Sequence, residues 1–443
     1  MSNARETTLA ALLQVDVNAG YSNLVLDKAL RTANLSQRDA GLASAIFYGV
    51  LERRLTLDNL LAQFCKQPLE KLTPEILEIL RMASFQIFYL EKIPPSAAVN
   101  EAVELAKRHK GKAAGFVNGV LRNLLRNRQN VKLPSLQAQT PRELSIAYSC
   151  PEWLIALWQA AYGREHLLGL LGSLQHRAPL YARVNTTKIT VPALIDRLAE
   201  EGVAAKPVSC LAGAIELAQT GAVAQLNTYT QGLFHVQDLS SQLCCALLAP
   251  QPGETILDVC AAPGGKTFTI AEHMENRGTV LAFDQYKGKV GLIKQGAQRL
   301  GLSVIQAEMR DARAPKHPLP PADRVLCDVP CAGLGIIRRK PEIRYKPKQE
   351  LDALPALQYE ILAQTAQLVR SGGTLAYATC SLNPAENAQV TERFLQSHPQ
   401  FVPKPLALPA GIRQIVDQAA NQITLLPHIH GTDGFFIALF ERK

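Results

Sequence analysis

The strongest constraint on this chain is a rhythm that begins near residue 238. Five apolar, β-branched runs follow one another, ETILDV, GTVLAFD, LSVIQAE, DRVLCDVP and GGTLAYATC, most of them separated by helix-length segments. Runs of this composition suit strands buried on both faces, and parallel strands need helical crossovers to join them. The pattern predicts a doubly wound, Rossmann-like α/β sheet over residues 236–443. Two later runs, ITLLP and GFFIALFERK, lie close enough to pair antiparallel at the sheet edge.

The rest of the 443 residues reads differently, so the chain is multi-domain. Residues 1–130 are helical in pattern. Ile76, Ile79, Leu80, Ala83, Ile87 and Leu90 recur on one helix face, Pro94-Pro95 stops that helix, and Ser96 is placed to cap the next, whose buried side carries Ala98, Val99, Ala102 and Leu105. This predicts an all-α bundle. The stretch 129–141, QNVKLPSLQAQTP, lacks apolar periodicity and reads as a linker. Within 131–235, helical stretches (153–157, 191–199) mix with strand-like runs at 180–184 and 232–236, which predicts that a small α+β domain follows the linker.

Charge and cysteine content narrow the function classes. Lys and Arg outnumber Asp and Glu by 47 to 38, a surplus that attracts a polyanion where it clusters. Between 107 and 128 it does cluster: Lys107, Arg108, Lys110, Lys112, Arg122, Arg126 and Arg128 occur in a window without an acid. A solvated helix face is the plain reading; phosphate contact is the functional one. The nine cysteines form no CxxC pair and no His/Cys zinc spacing, so they read as reduced thiols with no metal. No run reaches the length of a membrane span and the start has no signal-peptide block, so a cytosolic monomer without membrane contact is expected.

The first strand of the α/β half runs into Asp258-Val259-Cys260-Ala261-Ala262-Pro263-Gly264-Gly265-Lys266-Thr267. Small residues here let a ligand approach the backbone, and the following helix offers its first N–H groups. A Walker loop needs glycine where Cys260 stands, and a GxGxxG fingerprint is absent. S-adenosylmethionine fits better. Its ribose diol wants a carboxylate after the second strand, where Asp284 stands; Asp311 and Asp328 close the third and fourth strands, and with Asp258 they put four acids at successive strand ends.

Two cysteines share that edge. Cys331 follows Asp328-Val329-Pro330, and Cys380 follows Ala376-Tyr377-Ala378-Thr379, so both thiols should face one crevice. Cytosine C5 is a poor nucleophile until a thiolate adds at C6, and Asp328 is placed to absorb charge at ring N3. Only about 3% of an ordinary thiol is ionised at pH 7, so local positive charge is wanted, and Lys266 is a candidate. Amino-group methyltransferases place Pro-Pro-aromatic after the fourth-strand acid, whereas here Pro330 precedes cysteine. Spacing alone does not choose which thiol attacks.

Two family resemblances follow from these residues. The stretches SQRDAGLASAIFYGVLERRLTLDNLL, PPSAAVNEAVELAK and GFVNGVLRNLL resemble the NusB-type RNA-binding helical domain. The motifs DVCAAPGGKT, DVPCAGLG and ATCSLNPAEN, with VQDLSSQL and DGFFIALF, resemble the Sun/Fmu family of RNA cytosine-5 methyltransferases, with a class I S-adenosylmethionine-dependent catalytic domain. Together they point to its bacterial type B branch, which acts on 16S ribosomal RNA. The resemblance implies Cys380 as nucleophile, Cys331 as the group assisting product release, and cofactor contacts from Cys260, Ala261, Ala262, Pro263, Gly264, Gly265, Lys266, Asp284, Asp311 and Asp328. Many relatives carry serine where Ala332 follows Cys331, so this chain offers no hydroxyl at that position.

A second basic run, Arg338, Arg339, Lys340, Arg344, Lys346 and Lys348, lies just past Cys331 and suits an RNA substrate whose target cytosine is unstacked. Two alternatives stand beside the methyltransferase reading: a P-loop-like nucleotide hydrolase, and a non-catalytic RNA-binding factor with a vestigial cofactor fold.

Overall fold

The computed structural model describes residues 3–18, 22–218, 220–313, 319–414 and 419–443. The chain divides into two compact units, Met1–Gln175 with Arg339–Lys346, and His176–Arg338 with Pro347–Lys443.

The first unit is helical, with no strand among its described residues. Its central helix, Pro74–Tyr89, buries Ile76, Ile79, Leu80, Ala83 and Ile87, while Leu90 caps its end half-buried. Burial extends all round this helix and takes in Glu78 and Arg81. Burial works to lower the Arg81 pKa, but Asp58, at 2.7 Å, and Glu78 hold it above its ordinary value. Helix Gln37–Glu52 approaches closely through Gly49, where an added Cβ would lie 1.9 Å from the Phe85 ring. Ser96 does not cap the next helix. That helix is Pro95–Lys110, with Pro94 at its cap, because Pro95 suits the first helical position and leaves Ser96 inside the first turn.

Past the linker, Thr140 and Glu143 form a capping box that starts helix Pro141–Tyr148, and helix Glu152–Ser173 follows, kinked at Gly163 (φ 76°). Both helices fall in the first compact unit, which runs to Gln175. Leu55 donates its N–H to the Ser149 hydroxyl at 2.9 Å and Thr56 donates to the Ile146 carbonyl at 2.6 Å, which ties the added helices to the bundle.

Residues Arg339–Lys346 complete this unit. Arg344 is fully buried, and its Nη1 donates to the carbonyls of Ser149 at 3.1 Å and Glu52 at 3.3 Å, two helix C-terminal ends where a cation is favoured. The Tyr345 hydroxyl donates to the Leu51 carbonyl at 2.8 Å beneath the Arg54 guanidinium. Arg344 is therefore a structural residue here and is not available to RNA phosphate, as its place in the basic run suggests.

The second unit holds two sheets. In the smaller, β1 (Leu180–Val184), β2 (Ala204–Pro207), β3 (Ala214–Ala218) and β4 (Phe234–Val236) are antiparallel in the order β2-β3-β1-β4, with helix Val191–Glu200 packed on them. The larger contains β5 (Thr255–Asp258), β6 (Thr279–Asp284), β7 (Ile305–Met309), β8 (Ala322–Asp328), β9 (Val369–Thr379), β10 (Phe401–Pro403), β11 (Gln422–Leu425) and β12 (Phe435–Arg442). Its order is β10-β12-β9-β8-β5-β6-β7. Strands β5 to β9 are parallel, as the apolar runs predict. The terminal pair β11–β12 is antiparallel, but β12 also pairs with β9 and β10, so it lies inside the sheet. Arg183 on β1 donates to Glu272 at 3.1 Å, and Asn185 donates to the Leu300 carbonyl at 2.8 Å, fixing the small sheet to the helices after β5 and β6.

Replacing Arg344 with Met should remove charged hydrogen bonds from two helix ends and cost roughly 1.5–3 kcal/mol. Faster amide exchange in helix Pro141–Tyr148 would report it; unchanged protection would show that the guanidinium contributes nothing there.

Candidate active site

Parallel pairing brings the carboxyl ends of β5, β6, β8 and β9 to one edge of the larger sheet. At the end of β5, the chain turns through a cis Ala262-Pro263 bond into helix Gly265–His273. Gly264 takes φ 113°, and a Cβ there would lie 2.4 Å from the Phe268 ring, so this turn excludes any side chain. The Gly264 N–H donates to the Ala261 carbonyl and the Ala261 N–H to the Phe283 carbonyl, each at 2.7 Å, pinning the loop to β6. Ala261 is buried and Cys260 is partly buried among core residues, where burial pushes its thiol pKa well up.

The strand-end acids divide into different environments. Asp258 is buried, accepts from the Thr267 hydroxyl at 2.7 Å and has its pKa pushed up to about 7, chiefly by burial. It braces the turn from beneath and does not present a carboxylate to a ligand. Asp284 ends β6, is 8% exposed, accepts the Tyr286 N–H at 3.0 Å and lies 4.0 Å from Lys289. Asp311 accepts from the guanidinium of Arg313 and from its backbone N–H, which together hold the Asp311 pKa below the usual range. Asp328 ends β8 and accepts from Lys266 Nζ at 2.6 Å. Burial would push the Lys266 ammonium down, but Asp328 beside it overrides this and holds it above the ordinary lysine value. The same ammonium lies 5.0 Å from the Phe435 ring centroid.

The thiols meet. Cys331 Sγ and Cys380 Sγ are 2.9 Å apart, both free. The Cys331 pKa is raised well above the ordinary thiol value by its hydrogen bond with Cys380, by burial and by the charges of Cys380, Glu386 and Asp328. Their loops interlock through backbone: the Gly335 N–H donates to the Cys380 carbonyl, and the Gly434 N–H to the Gly335 carbonyl, each at 2.9 Å. A Cβ on Gly335 would lie 1.9 Å from the Gly434 carbonyl oxygen, so only glycine permits this approach.

Three polar residues around these loops escape motif-and-spacing reasoning: Gln358, Glu386 and Asn387, all buried. NPAEN supplies two of them, but nothing local marks them as partners of the thiol loops. Gln358 sits mid-helix in Leu354–Ala366, where only the tertiary structure reveals its use.

The basic residues separate by exposure. In the 107–128 run, Lys107 pairs with Glu104 at 2.7 Å, Arg108 with Glu6 at 3.2 Å and Lys110 with Glu75 at 3.3 Å, so acids outside the window offset three of its seven basic residues. Lys112, Arg122 and Arg126 are exposed and make no ion pair among the described residues, while Arg128 lies over the Phe88 ring. In the second run, the Arg338 side chain is 7% exposed, donates to the Thr432 carbonyl and lies 3.9 Å from Asp433. It secures the loop before β12, which removes it from the set free to meet phosphate. Arg339 and Lys340 are half-buried; Lys348 is exposed.

The larger sheet and its turn suit a nucleoside cofactor: a side-chain-free approach at Gly264 stands with one carboxylate at the end of β6 and a second at the end of β8. A phosphate-cradling role for Lys266 fits less well, since its ammonium already pairs with Asp328.

Comparison with known proteins agrees with this architecture. Residues 2–126 match the NusB family, residues 150–224 the ferredoxin-like domain of RsmF/B-like methyltransferases, and residues 245–441 the 16S rRNA methyltransferase RsmB/F family. The chain is 40% identical to a probable ribosomal RNA small subunit methyltransferase B of Bacillus subtilis, covering 100% of this chain and 99% of the relative. It is 37% identical to the probable counterpart from Synechocystis, covering 100% of each. The crystal structure of PH0851 superposes with a TM-score of 0.84 at 27% identity, covering 99% of this chain and 98% of that one. With three family models in order along its length and full-length relatives at this identity, the chain belongs to the RsmB/F family of ribosomal RNA small subunit methyltransferases.

Proposed function

We propose that this enzyme transfers a methyl group from S-adenosylmethionine to C5 of a cytosine in 16S ribosomal RNA, through a covalent bond between Cys380 Sγ and ring C6. The observation that carries this reading is the 2.9 Å approach of Cys331 and Cys380 in the loops after β8 and β9, with Asp328 at the end of β8 held by Lys266. The family matches support the methyltransferase class and the ribosomal substrate; the thiol chemistry is what specifies the ring carbon.

When bound, S-adenosylmethionine supplies an electrophilic methyl group. Gly264 and Gly265, with Cys260, Ala261, Ala262, Pro263 and Lys266 in the same turn, would hold its amino-acid end, Asp284 its ribose, and Asp311 and Asp328 the remaining polar atoms. The chain's own residues handle the protons. The motif resemblance gives the attack to Cys380; the hydrogen bond with Cys380, burial and the neighbouring carboxylates Glu386 and Asp328 push the Cys331 thiol pKa up, which suits Cys331 to keep its proton. As the Cys380 sulfur bonds to C6, its proton passes through Asp328 to ring N3, and Lys266 stabilises the charge that Asp328 carries. After C5 is methylated, Cys331 gives its proton to the departing Cys380 sulfur and takes the C5 proton in its place, and N3 releases its proton through Asp328. Both thiols return to their starting state, and one proton is released overall.

The helical unit supplies RNA affinity through Lys112, Arg122 and Arg126, with Lys107, Arg108 and Lys110 as partly neutralised neighbours and Arg339 and Lys340 in the segment that joins this unit. Lys71, Lys110 and Lys112 also line a groove floored by Leu72, Ile76 and Phe116, an arrangement that suits a phosphate backbone beside an unstacked base. We assign the site to a cytosolic protein that needs no metal, and the base it takes to a single-stranded or loop region.

Three measurements test this reading. Calorimetry should detect S-adenosylmethionine and no ATP; the reverse would revive the nucleotide-hydrolase alternative. Cys380→Ala should abolish both methyl transfer and any covalent RNA complex, whereas Cys331→Ala should let that complex accumulate on a denaturing gel while turnover drops by about 10²- to 10⁴-fold. The opposite pattern would exchange the two roles, and a nuclease digest lacking 5-methylcytosine would end the proposal. Neutralising Lys112, Arg122 and Arg126 should flatten the slope of log affinity against log salt by about 0.7–0.9 for each phosphate that no longer meets a cation. Neutralising Lys107, Arg108 and Lys110 should flatten it less; an unchanged slope in the first set returns that face to simple solvation.

A further inference from the structure

Both thiols are flanked by residues that one buried polar cluster holds. Around Cys331, the Pro330 carbonyl accepts from Gln358 Nε2 at 2.9 Å, and the Ala332 N–H donates to Glu386 Oε2 at 2.8 Å. Around Cys380, the Thr379 hydroxyl donates to Asn387 Oδ1 at 2.6 Å, and Ser381 is held twice, its hydroxyl donating to Glu386 Oε1 at 2.6 Å and its carbonyl accepting from Asn387 Nδ2 at 2.9 Å. Gln358 Nε2 also donates to Glu386 Oε2 at 2.9 Å, and the Tyr377 hydroxyl donates to the Glu386 carbonyl. The Glu386 carboxylate thus takes one hydrogen bond from each thiol loop.

This carboxylate is expensive to keep. Glu386 has no solvent exposure, and its three side-chain hydrogen bonds come from neutral donors: a backbone N–H, an amide and a hydroxyl. An apolar side chain would fill the space at lower desolvation cost. What an apolar side chain cannot do is bind two loops to one point. A shift of either loop strands an acceptor of a buried anion, so the two loops move together or not at all. Two sulfurs that must exchange a proton within one reaction cycle need that tolerance, since rate falls steeply with misplacement of reacting groups.

We infer that Glu386, supported by Gln358 and Asn387, is the positioning residue that sets the distance between the Cys331 and Cys380 sulfurs. The inference deepens the two-thiol reading above and rests on it for its catalytic meaning. Its geometric content stands separately and can be measured without RNA.

The probe is the Cys331–Cys380 disulfide formed in a glutathione redox buffer. Two thiols are oxidised, one oxidised glutathione is reduced to two thiols, and the bonded pair is read by peptide mass mapping of the full-length protein. The equilibrium constant reports the effective concentration of one sulfur at the other. Glu386→Ala should lower it at least tenfold, with S-adenosylmethionine affinity within twofold of wild type and the loss in methylation falling on kcat more than on KM for RNA. Glu386→Gln should lie between, because its amide oxygen can still accept from Ala332 and Gln358 while its NH₂ group donates to the Ser381 hydroxyl. Ser381→Ala, which cuts one bond only, should lower the constant several-fold. A folded Glu386→Ala protein with the wild-type constant overturns the inference. If that variant does not fold, unchanged constants in both Glu386→Gln and Ser381→Ala overturn it equally. Should the wild-type enzyme make no 5-methylcytosine, the reaction assignment fails while the disulfide constants still decide the positioning role.

Discussion

Parallel pairing of β8 and β9 is the constraint on which the site depends. With Leu326 opposite Ala376 and Asp328 opposite Ala378, both strands end at the same level, and the residues that follow each enter one space. An antiparallel pairing would have put the two cysteines at opposite edges. The register also sets the chemistry of each position: Asp328 is the last strand residue of β8 and meets Lys266 from the neighbouring turn, while Cys380, one residue past β9, meets the loop that departs from β8. Strand β12 then pairs with β9 and brings Gly434 against Gly335, closing the cysteine loops from the far side.

Much of this was legible because strand ends are where a parallel sheet shows its chemistry. Apolar runs identify the strands, the residue at each run's end is then at the binding edge, and Asp284, Asp328, Cys331 and Cys380 all follow from that single rule. The rule fails for Asp258, which stands at a strand end yet turns under the loop to Thr267, because a tight turn with two glycines needs an internal brace. It is silent about Gln358, Glu386 and Asn387, which come from a crossover helix and from the turn after Cys380. Their spacing matches no local template, since the partners they share lie in two loops far apart in sequence. The helical half was legible in type and less so in extent: Thr140 and Glu143 announce a helix, but nothing in their neighbourhood says whether it packs on the bundle before it or on the sheet after it.

Charge was the least transferable reading, for a physical reason. A window without acids says nothing about acids that the fold brings alongside, and Glu6, Glu75 and Glu104 arrive from outside the 107–128 run. The second basic run fails in another way. Arginines near a catalytic loop can satisfy backbone carbonyls as readily as phosphates, because the guanidinium offers five donors in a plane. Arg338 takes the Thr432 carbonyl, and Arg344 takes carbonyls at two helix ends. Lys112, Arg122 and Arg126 stay exposed on one helical region.

The residue after Cys331 shows why a departure from a familiar motif can be neutral. Ala332 replaces a side chain that could have offered a hydroxyl, which raises the question of what that hydroxyl would have bonded. In this protein the main chain at this position is used: the Ala332 N–H reaches Glu386, while its methyl group is buried, 3% exposed, where a hydroxyl would need a partner of its own. Ser381 makes the matching hydrogen bond from the other loop with its side chain. One carboxylate is therefore reached by a main-chain donor on one side and a side-chain donor on the other, and only the second can be removed by substitution. The loop that carries Cys331 is thus held through the main chain at 332, an interaction that does not depend on the side chain there, although the buried position admits only a small one.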